Sequence, residues 1–473
     1  MDLNELLDLV KNQGVTGIVS NSKKVIPGSV FVCIKGYSTD GHDYAFDASD
    51  KGAKYIVTEK DLGLINQIIV PASRTALAYL SHAFYDNPSK KLKLIGVTGT
   101  NGKTSSVFML HHILEKEGAG LFSTVKTVVG AKIIPQERTT PDVLEIDELL
   151  SKMLNAGAEY AIMEVSSHSV VLDRVSGLHF KGGIFTNLTQ DHLDFHKNMA
   201  EYAKAKKEFF MMMDQDSVAA FNLDDPYADY MLDRFKGKTI SFGVNQGRIR
   251  ANDIKATATE ITYTLAIEKN TWFVNLPIGG EFNVYNSLGV LALLYGLGFD
   301  LDLAVSRLKS FPGVPGRFQK VDLGQDFAVI VDYAHTPDGL KNLLFSARRQ
   351  CQGQLIVVFG CGGDRDKTKR PKMAAEAEKW ADKIIVTSDN PRSEDAQAII
   401  NDILVGFKSS DYRVEADRQK AIFQAITAAQ KGDIIVIAGK GHEDYQEIKG
   451  VKYHFDDTQV AREGLIKFAK NQR

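Results

Sequence analysis

The stretch "LIGVTGTNGKTSSVFML" (Leu94–Leu110) is an apolar strand that breaks into a Gly/Thr loop, reaches Lys103 and Thr104, and resumes with helical spacing. Gly99, Thr100, Asn101 and Gly102 can turn tightly enough to aim backbone N–H groups at phosphate oxygens. The start of the following helix adds partial positive charge there. Lys103 suits the outer phosphates, Thr104 offers a hydroxyl to a magnesium ion, and Ser105 completes the cradle. The match to the usual GxxxxGK[ST] pattern has one departure: Val97 stands where a glycine is expected, with Gly96 beside it. A signalling GTPase would add an Asn-Lys-x-Asp base-reading motif, and the chain has none. A motor or transporter ATPase would end a later strand in Asp, whereas "YAIMEVSSH" ends in Glu164, which could hold Mg²⁺ opposite Thr104.

Working outward, three segments emerge. The first, 1–89, mixes short strands ("GSVFVCIKG", "AKYIVTE") with helical stretches and ends in the loop-like "FYDNPSKKLK". The second, 90–315, alternates apolar strands with helices, which predicts a parallel sheet with helices on its faces. Its tail, from Ile240 to Ile278, changes to a period of two and predicts antiparallel hairpins, before "SLGVLALLYGLGF" (Ser287–Phe299) reads as a buried helix. "FPGVPGRF" (Phe311–Phe318) reads as a second linker. In the third segment, 316–473, four apolar strands each end in a polar loop: "FAVIVDYAHTPD", "LIVVFGCGGDRDK", "KIIVTSDNPRSED" and "DIIVIAGKGHEDY". Ligands of open parallel sheets bind beyond the carboxyl ends of the strands, so these loops would line one crevice.

The chain has 473 residues, 44% of them hydrophobic and 25% charged, with a net charge of -2, which fits several ordinary domains and gives no global pull toward nucleic acid or membrane. Cys33, Cys351 and Cys361 form no CxxC or metal-ligand spacing. The acidic start lacks the form of a signal peptide, and the longest apolar run is too short to span a bilayer. A cytoplasmic protein without membrane insertion is expected.

Together, "TGTNGKT", "MEVSSH", "TNLTQDHLDFH", "DYAHTPD", "GCGGDRDK", "DNPR" and "AGKGHEDYQ" closely resemble the Mur ligase family, in the family's order and across all three segments. The likeness is to its tripeptide-synthetase branch. The resemblance implies an α/β architecture of three domains: an N-terminal UDP-binding domain, a central P-loop ATPase domain and a Rossmann-like C-terminal amino-acid domain. It implies a monomer using ATP and Mg²⁺. The γ-phosphoryl passes to the D-Glu side-chain carboxylate of UDP-MurNAc-L-Ala-D-Glu, and an amine then displaces phosphate. Carried over residue by residue, Thr104, Glu164 and His192 resemble the metal-site residues, and Lys206 in "EYAKAKKEFF" the family's carbamylated lysine. Asn283, Asn286, Arg317 and Asp332 resemble further nucleotide contacts. Ser22 resembles a uridine contact, and Thr139, Thr140, Ser166 and Arg174 resemble contacts to the muramoyl dipeptide. Leu172 departs from the polar residue that some members carry.

The resemblance also places Arg365, Asp389, Asn390, Pro391, Arg392, Gly439 and Glu443 around the incoming amino acid. Meso-diaminopimelate has a distal carboxylate that L-lysine lacks, and Arg392 could pair with it in a fork geometry. Glu443 would receive the distal ammonium. Diaminopimelate is therefore expected, with L-lysine as the alternative substrate. A folylpolyglutamate synthetase-like ligase or a non-catalytic nucleotide-binding scaffold are remoter alternatives, separable by acceptor and by amine-dependent phosphate release.

Overall fold

The computed structural model describes residues 2–12, 14–36, 39–136, 138–257 and 259–471. Three parallel-rich sheets follow one another along the chain. The first pairs Ile18–Val19, Val30–Val32, Tyr55–Thr58 and Gln67–Ile69, all parallel. The helices Leu3–Lys11 and Ser73–Phe84 close its core through Leu6, Val10, Ala76 and Leu80.

The central sheet holds eleven strands among the described residues. The phosphate-loop strand Lys93–Thr98 lies in its interior, parallel to Phe180–Phe185 on one side and Tyr160–Glu164 on the other. That register puts Val97 opposite Glu164, so the loop and the carboxylate emerge from the same edge. Both faces of this strand are buried, which is why it reads as an unbroken apolar run rather than an alternating one. The Ile240–Ile278 region forms antiparallel hairpins only from Ile249 on, with Ile249–Ala256, Ile261–Ile267 and Asn270–Leu276 in succession; Lys238–Gly243 instead pairs parallel with both its neighbours and extends the parallel sheet. Two helices, Lys103–Leu114 and Phe282–Gly296, pack on one face. On the other face lie Val143–Asn155 and Met199–Met211. "SLGVLALLYGLGF" is buried nearly all round, as its composition implied.

The third sheet runs in the order Gln319–Val321, Ala328–Asp332, Ile434–Ala438, Leu355–Phe359, Lys383–Val386, Arg413–Val414, and only its first pair is antiparallel. The four apolar strands expected from sequence are thus neighbours, and their polar loops share one end of the sheet.

Candidate functional site

The phosphate loop owes its shape to two glycines. Gly99 has φ +151 and Gly102 φ +86, conformations that a side chain resists. The helix beginning at Lys103 has no side-chain cap, leaving its N-terminal end available to an anion. Lys103 folds back on the loop, its Nζ donating to the carbonyls of Gly99 (2.8 Å) and Thr100 (2.7 Å). Burial pulls this amine below the usual lysine range, against the charges of Glu164 and Asp191. Val97, the departure from the usual pattern, is a buried strand residue and takes no part in the turn.

Glu164 is buried, at 1% exposure, and its Oε2 accepts from Thr104 Oγ1 at 3.1 Å. Its Oε1 accepts from the backbone N–H of Thr124 at 2.7 Å and from that residue's hydroxyl at 3.1 Å. Lys206, also 1% exposed, sits on the helix Met199–Met211 and donates to the Gly99 carbonyl at 2.8 Å. Two lysines therefore converge on one carbonyl oxygen. Burial, and then the Lys103 charge, push the Lys206 amine well below its usual range. His192 is held in a left-handed backbone conformation, φ 56, with its ring 4.8 Å from that of His168 and its Nε2 3.3 Å from Asp191. Burial holds this imidazole well below the ordinary histidine range despite the Asp191 carboxylate. That direction favours the neutral imidazole, the form able to bind a metal.

These groups line a cleft of about 480 Å³ between the central and third sheets. Across it stands Arg317, whose Nη2 donates to Thr104 Oγ1 at 3.2 Å and whose guanidinium lies 4.2 Å from the Tyr333 ring centre. Asp332 reaches the cleft but uses both oxygens locally, accepting from the N–H groups of Phe318 (2.6 Å) and Ala334 (2.7 Å). Asn286 lines the cleft above Gly102, while Asn283 sits behind it and accepts its amide at 2.8 Å.

Thr139 and Ser166 line the same cleft. Thr140 donates to the Glu164 carbonyl at 2.8 Å, and Arg174 donates to the Thr140 carbonyl at 3.1 Å and pairs with Asp142 at 2.9 Å. This row lies just outside the phosphate loop. Ser22 is elsewhere, in a short 3-10 turn (Ser22–Lys24) of the first sheet's unit, capped by Asn21. Leu172 follows the short helix Ser167–Val171 and is half-buried.

The loops after Lys383–Val386 and Ile434–Ala438 meet in a second polar cluster. Asn390 Nδ2 donates to Glu443 Oε2 at 2.8 Å. Gly439, with φ +120, lies against Asp389, and a Cβ there would meet Asp389 Oδ2 at 2.5 Å. Burial would raise the Asp389 carboxyl, but Lys440 and then Arg418 hold it below the usual range. Glu443 is raised, by burial and then by Asp389. Arg392 adopts φ 53, donates from Nη1 to the Gly363 carbonyl at 2.7 Å and lies 3.5 Å from Glu447. Pro391, between them, is buried. Arg365 is not drawn into this cluster; it is exposed and donates to the Asp364 carbonyl at 3.0 Å.

Several residues of these sites escape sequence reasoning. Thr124, which grips Glu164, follows a strand with no motif around it. Asp338 joins the domains, its Oδ2 accepting from Asn101 Nδ2 (3.1 Å) and Thr189 Oγ1 (3.3 Å). Arg418 and Asp457 form a fully buried bidentate pair, at 2.7 Å for each bond, beneath the Asp389 loop. Only Asp338, inside "DYAHTPD", carried a local signal.

The geometry defines a phosphate-loop α/β protein whose nucleotide-type cradle is covered by a second parallel-sheet domain with its own polar pocket. Comparison with known proteins narrows the class. Three family models match in order: "Mur ligase family, catalytic domain" at 14–85, "Mur ligase middle domain" at 97–294 and "Mur ligase, glutamate ligase domain" at 316–441. The chain is 43% identical to a UDP-N-acetylmuramoyl-L-alanyl-D-glutamate--2,6-diaminopimelate ligase of Bacillus licheniformis, covering 98% of this chain and 99% of the relative. It is 46% identical to the protein of that name from Clostridium botulinum, over 94% of each chain. A solved structure of a ligase of the same name superposes with a TM-score of 0.71 at 32% identity, covering 97% of this chain and 96% of the other. The chain belongs to the Mur ligase family.

Proposed function

We propose that this protein is the ATP-dependent ligase that joins meso-2,6-diaminopimelate to UDP-MurNAc-L-Ala-D-Glu, an ADP-forming, acid–amino-acid ligation in peptidoglycan precursor synthesis. The observation that carries this reading is one cleft with the phosphate loop on one wall and Arg317, from the other domain, on the opposite wall at 3.2 Å from Thr104. The kinship supports the choice of substrates.

In this reading 1–89 holds the uridine end through Ser22, 90–315 holds ATP, and 316–473 holds the amino acid. The D-Glu carboxylate is a poor acylating agent, because oxide would have to leave. Its oxygen attacks the γ-phosphorus, the bond to ADP breaks, and an acyl phosphate forms. Lys103, the loop N–H groups and Arg317 hold charge on the transferring group, and this positioning is most of what phosphoryl transfer asks of a protein. The amine nitrogen then attacks the acyl carbon. The carbon–oxygen bond to phosphate breaks, and the amide remains after the amine loses its proton. Domain closure through Arg317 and Asp338 brings the amine to the acyl phosphate and excludes water. Thr139, Thr140, Ser166 and Arg174 position the acceptor dipeptide. Asn286 faces the adenine side, its amide fixed from behind by Asn283.

Among the described residues no group of three or more His, Cys, Asp or Glu side chains stands close enough to hold a metal. The donor set here is different in kind and fits Mg²⁺ once Lys206 is modified: the Thr104 hydroxyl and Glu164 at 3.1 Å, neutral His192, and a carbamate on Lys206. Mg²⁺ would neutralise the phosphates during transfer. A lysine whose burial favours the neutral amine is the right nucleophile for CO₂: its nitrogen bonds the carbon, one proton leaves, and the buried amine becomes a carbamate anion. No helix among the described residues is long and apolar enough to cross a membrane. A cytoplasmic monomer is part of the same proposal.

The acyl-phosphate step is tested with UDP-MurNAc-L-Ala-D-Glu labelled with ¹⁸O in the D-Glu side-chain carboxyl. One labelled oxygen should appear in the released phosphate. Unlabelled phosphate would exclude this route.

A further inference from the structure

We infer that Lys440 sets the amine pocket: it is a positioning residue that fixes the Asn390 amide and the Glu443 carboxylate and offsets part of the pocket's negative charge. The inference rests on the amino-acid role proposed for that pocket.

Lys440 has 0% exposure, which is rare for a lysine unless its ammonium is fully paired. Its Nζ donates to Asn390 Oδ1 at 3.1 Å, to Glu443 Oε2 at 3.4 Å and to the Tyr445 carbonyl. An ammonium has three donors, and all three are used. The contacts also decide which way the Asn390 amide points. The backbone N–H of Glu447, at 3.0 Å, and the Lys440 ammonium both face the same atom of that amide. Both can only donate, so that atom must be the oxygen. The Asn390 NH₂ is thereby turned to Glu443 Oε2, 2.8 Å away. With Oε2 held by Asn390 and Lys440, the other carboxylate oxygen has, among the described residues, the Tyr333 hydroxyl at 3.4 Å as its one hydrogen-bond partner. Oε1 is the oxygen left to receive a substrate ammonium.

Charge supports the same role. Asp389 and Glu443 are two acids in one buried pocket, and Arg418 is already committed to Asp457. Lys440 is the cation bonded to Glu443, and it offsets part of the acid pair's negative charge while leaving Glu443 Oε1 for an incoming ammonium. Without it, two buried carboxylates would repel each other and Glu443 would favour its neutral form. Gly439 lets this happen by carrying the backbone past Asp389 without a side chain, so that the next residue reaches under both loops.

The test is Lys440→Met, which keeps length and removes charge and donors, together with Asn390→Ala and the double variant. KM for diaminopimelate should rise roughly 30- to 100-fold in Lys440→Met, as when one partner of a buried charged pair is truncated. ATP affinity and kcat at saturating diaminopimelate should stay near wild type. The double variant should lose less than the product of the two single losses, because both act through one network. An unchanged KM, independent effects, or a parallel loss of ATP affinity would each overturn the inference. Wild-type enzyme structures with diaminopimelate bound give a second measure that needs no variant. Lys440 Nζ should remain on Asn390 Oδ1, and an ammonium swung out onto the substrate carboxylate would contradict the role. Wild-type enzyme without diaminopimelate-dependent phosphate release would instead take down the functional reading and this inference together.

Discussion

A Cβ on Gly99 would lie 1.8 Å from Thr186 Oγ1, and one on Gly102 would lie 2.2 Å from Asn286 Oδ1. Both positions have positive φ, so alanine adds a backbone cost of roughly 1–2 kcal/mol to the clash. Gly99→Ala and Gly102→Ala should each weaken ATP binding by at least about tenfold while leaving the melting transition of the third domain in place. Equilibrium binding of a fluorescent nucleotide, with calorimetry as the folding control, checks this. In the proposed reading Arg392 carries the substrate choice. Arg392→Ala should raise KM for diaminopimelate on the order of 100-fold and leave ATP affinity intact, since only the distal carboxylate loses its partner. Equal losses for both ligands would remove Arg392 from that role. At this scale the sequence was most legible where chemistry is local. Gly99 to Gly102 form one turn that runs into the helix at Lys103, and Glu164 stands at the end of its strand, where its carboxylate meets Thr104. Thr124 was not legible, because Glu164 lies 40 residues away, and although Lys440 stands in "AGKGHEDYQ" beside Glu443, its bond to Asn390, 50 residues away, has no spacing that reveals it.

The helix Ser73–Phe84 of the first domain is pinned to the central domain by buried polar contacts. His82 Nδ1 lies 2.7 Å from Asp147 Oδ2, its Nε2 lies 2.8 Å from the Ser176 carbonyl, and Ser81 donates to the same Asp147 oxygen at 2.5 Å. Burial alone would lower the His82 pKa, but the Asp147 carboxylate more than offsets it and the net shift is upward. A histidine raised in the folded state stabilises fully below its unfolded value, near 6.5, and that contribution fades as pH rises through the folded pKa. Docking of the first domain should therefore loosen on the alkaline side of pH 6.5, seen as faster hydrogen exchange in Ser73–Phe84. His82→Ala should cost about 3–5 kcal/mol by stranding Asp147, and should flatten that pH dependence. Denaturant titrations at several pH values would show a retained slope if another group were responsible. The elements themselves were plain in the sequence, since "SLGVLALLYGLGF" and the four strand-loop units repeat the periods of their structures. This pin was not, because nothing in "LSHAF" distinguishes an inter-domain histidine from a surface one.

Across the whole molecule, catalysis depends on two parallel sheets presenting their loop ends to one cleft. Arg317 and Asp338 bridge it, to Thr104 and Asn101 respectively. Adding ATP should compact the wild-type protein in solution scattering, and Arg317→Ala should weaken that compaction and lower kcat more than it raises KM for diaminopimelate. A variant that closes normally would shift the bridging role to Asp338. The central and third segments were legible because each carries its own strand-end motifs, whereas 1–89 carries none of them. Their mutual placement was not, because it rests on single side chains reaching between units. The most direct measurement is phosphate release from Mg-ATP with UDP-MurNAc-L-Ala-D-Glu, adding meso-diaminopimelate or L-lysine in separate reactions. Release driven by diaminopimelate and not by lysine is the predicted result; release driven mainly by lysine, or indifferent to the added amine, would contradict it.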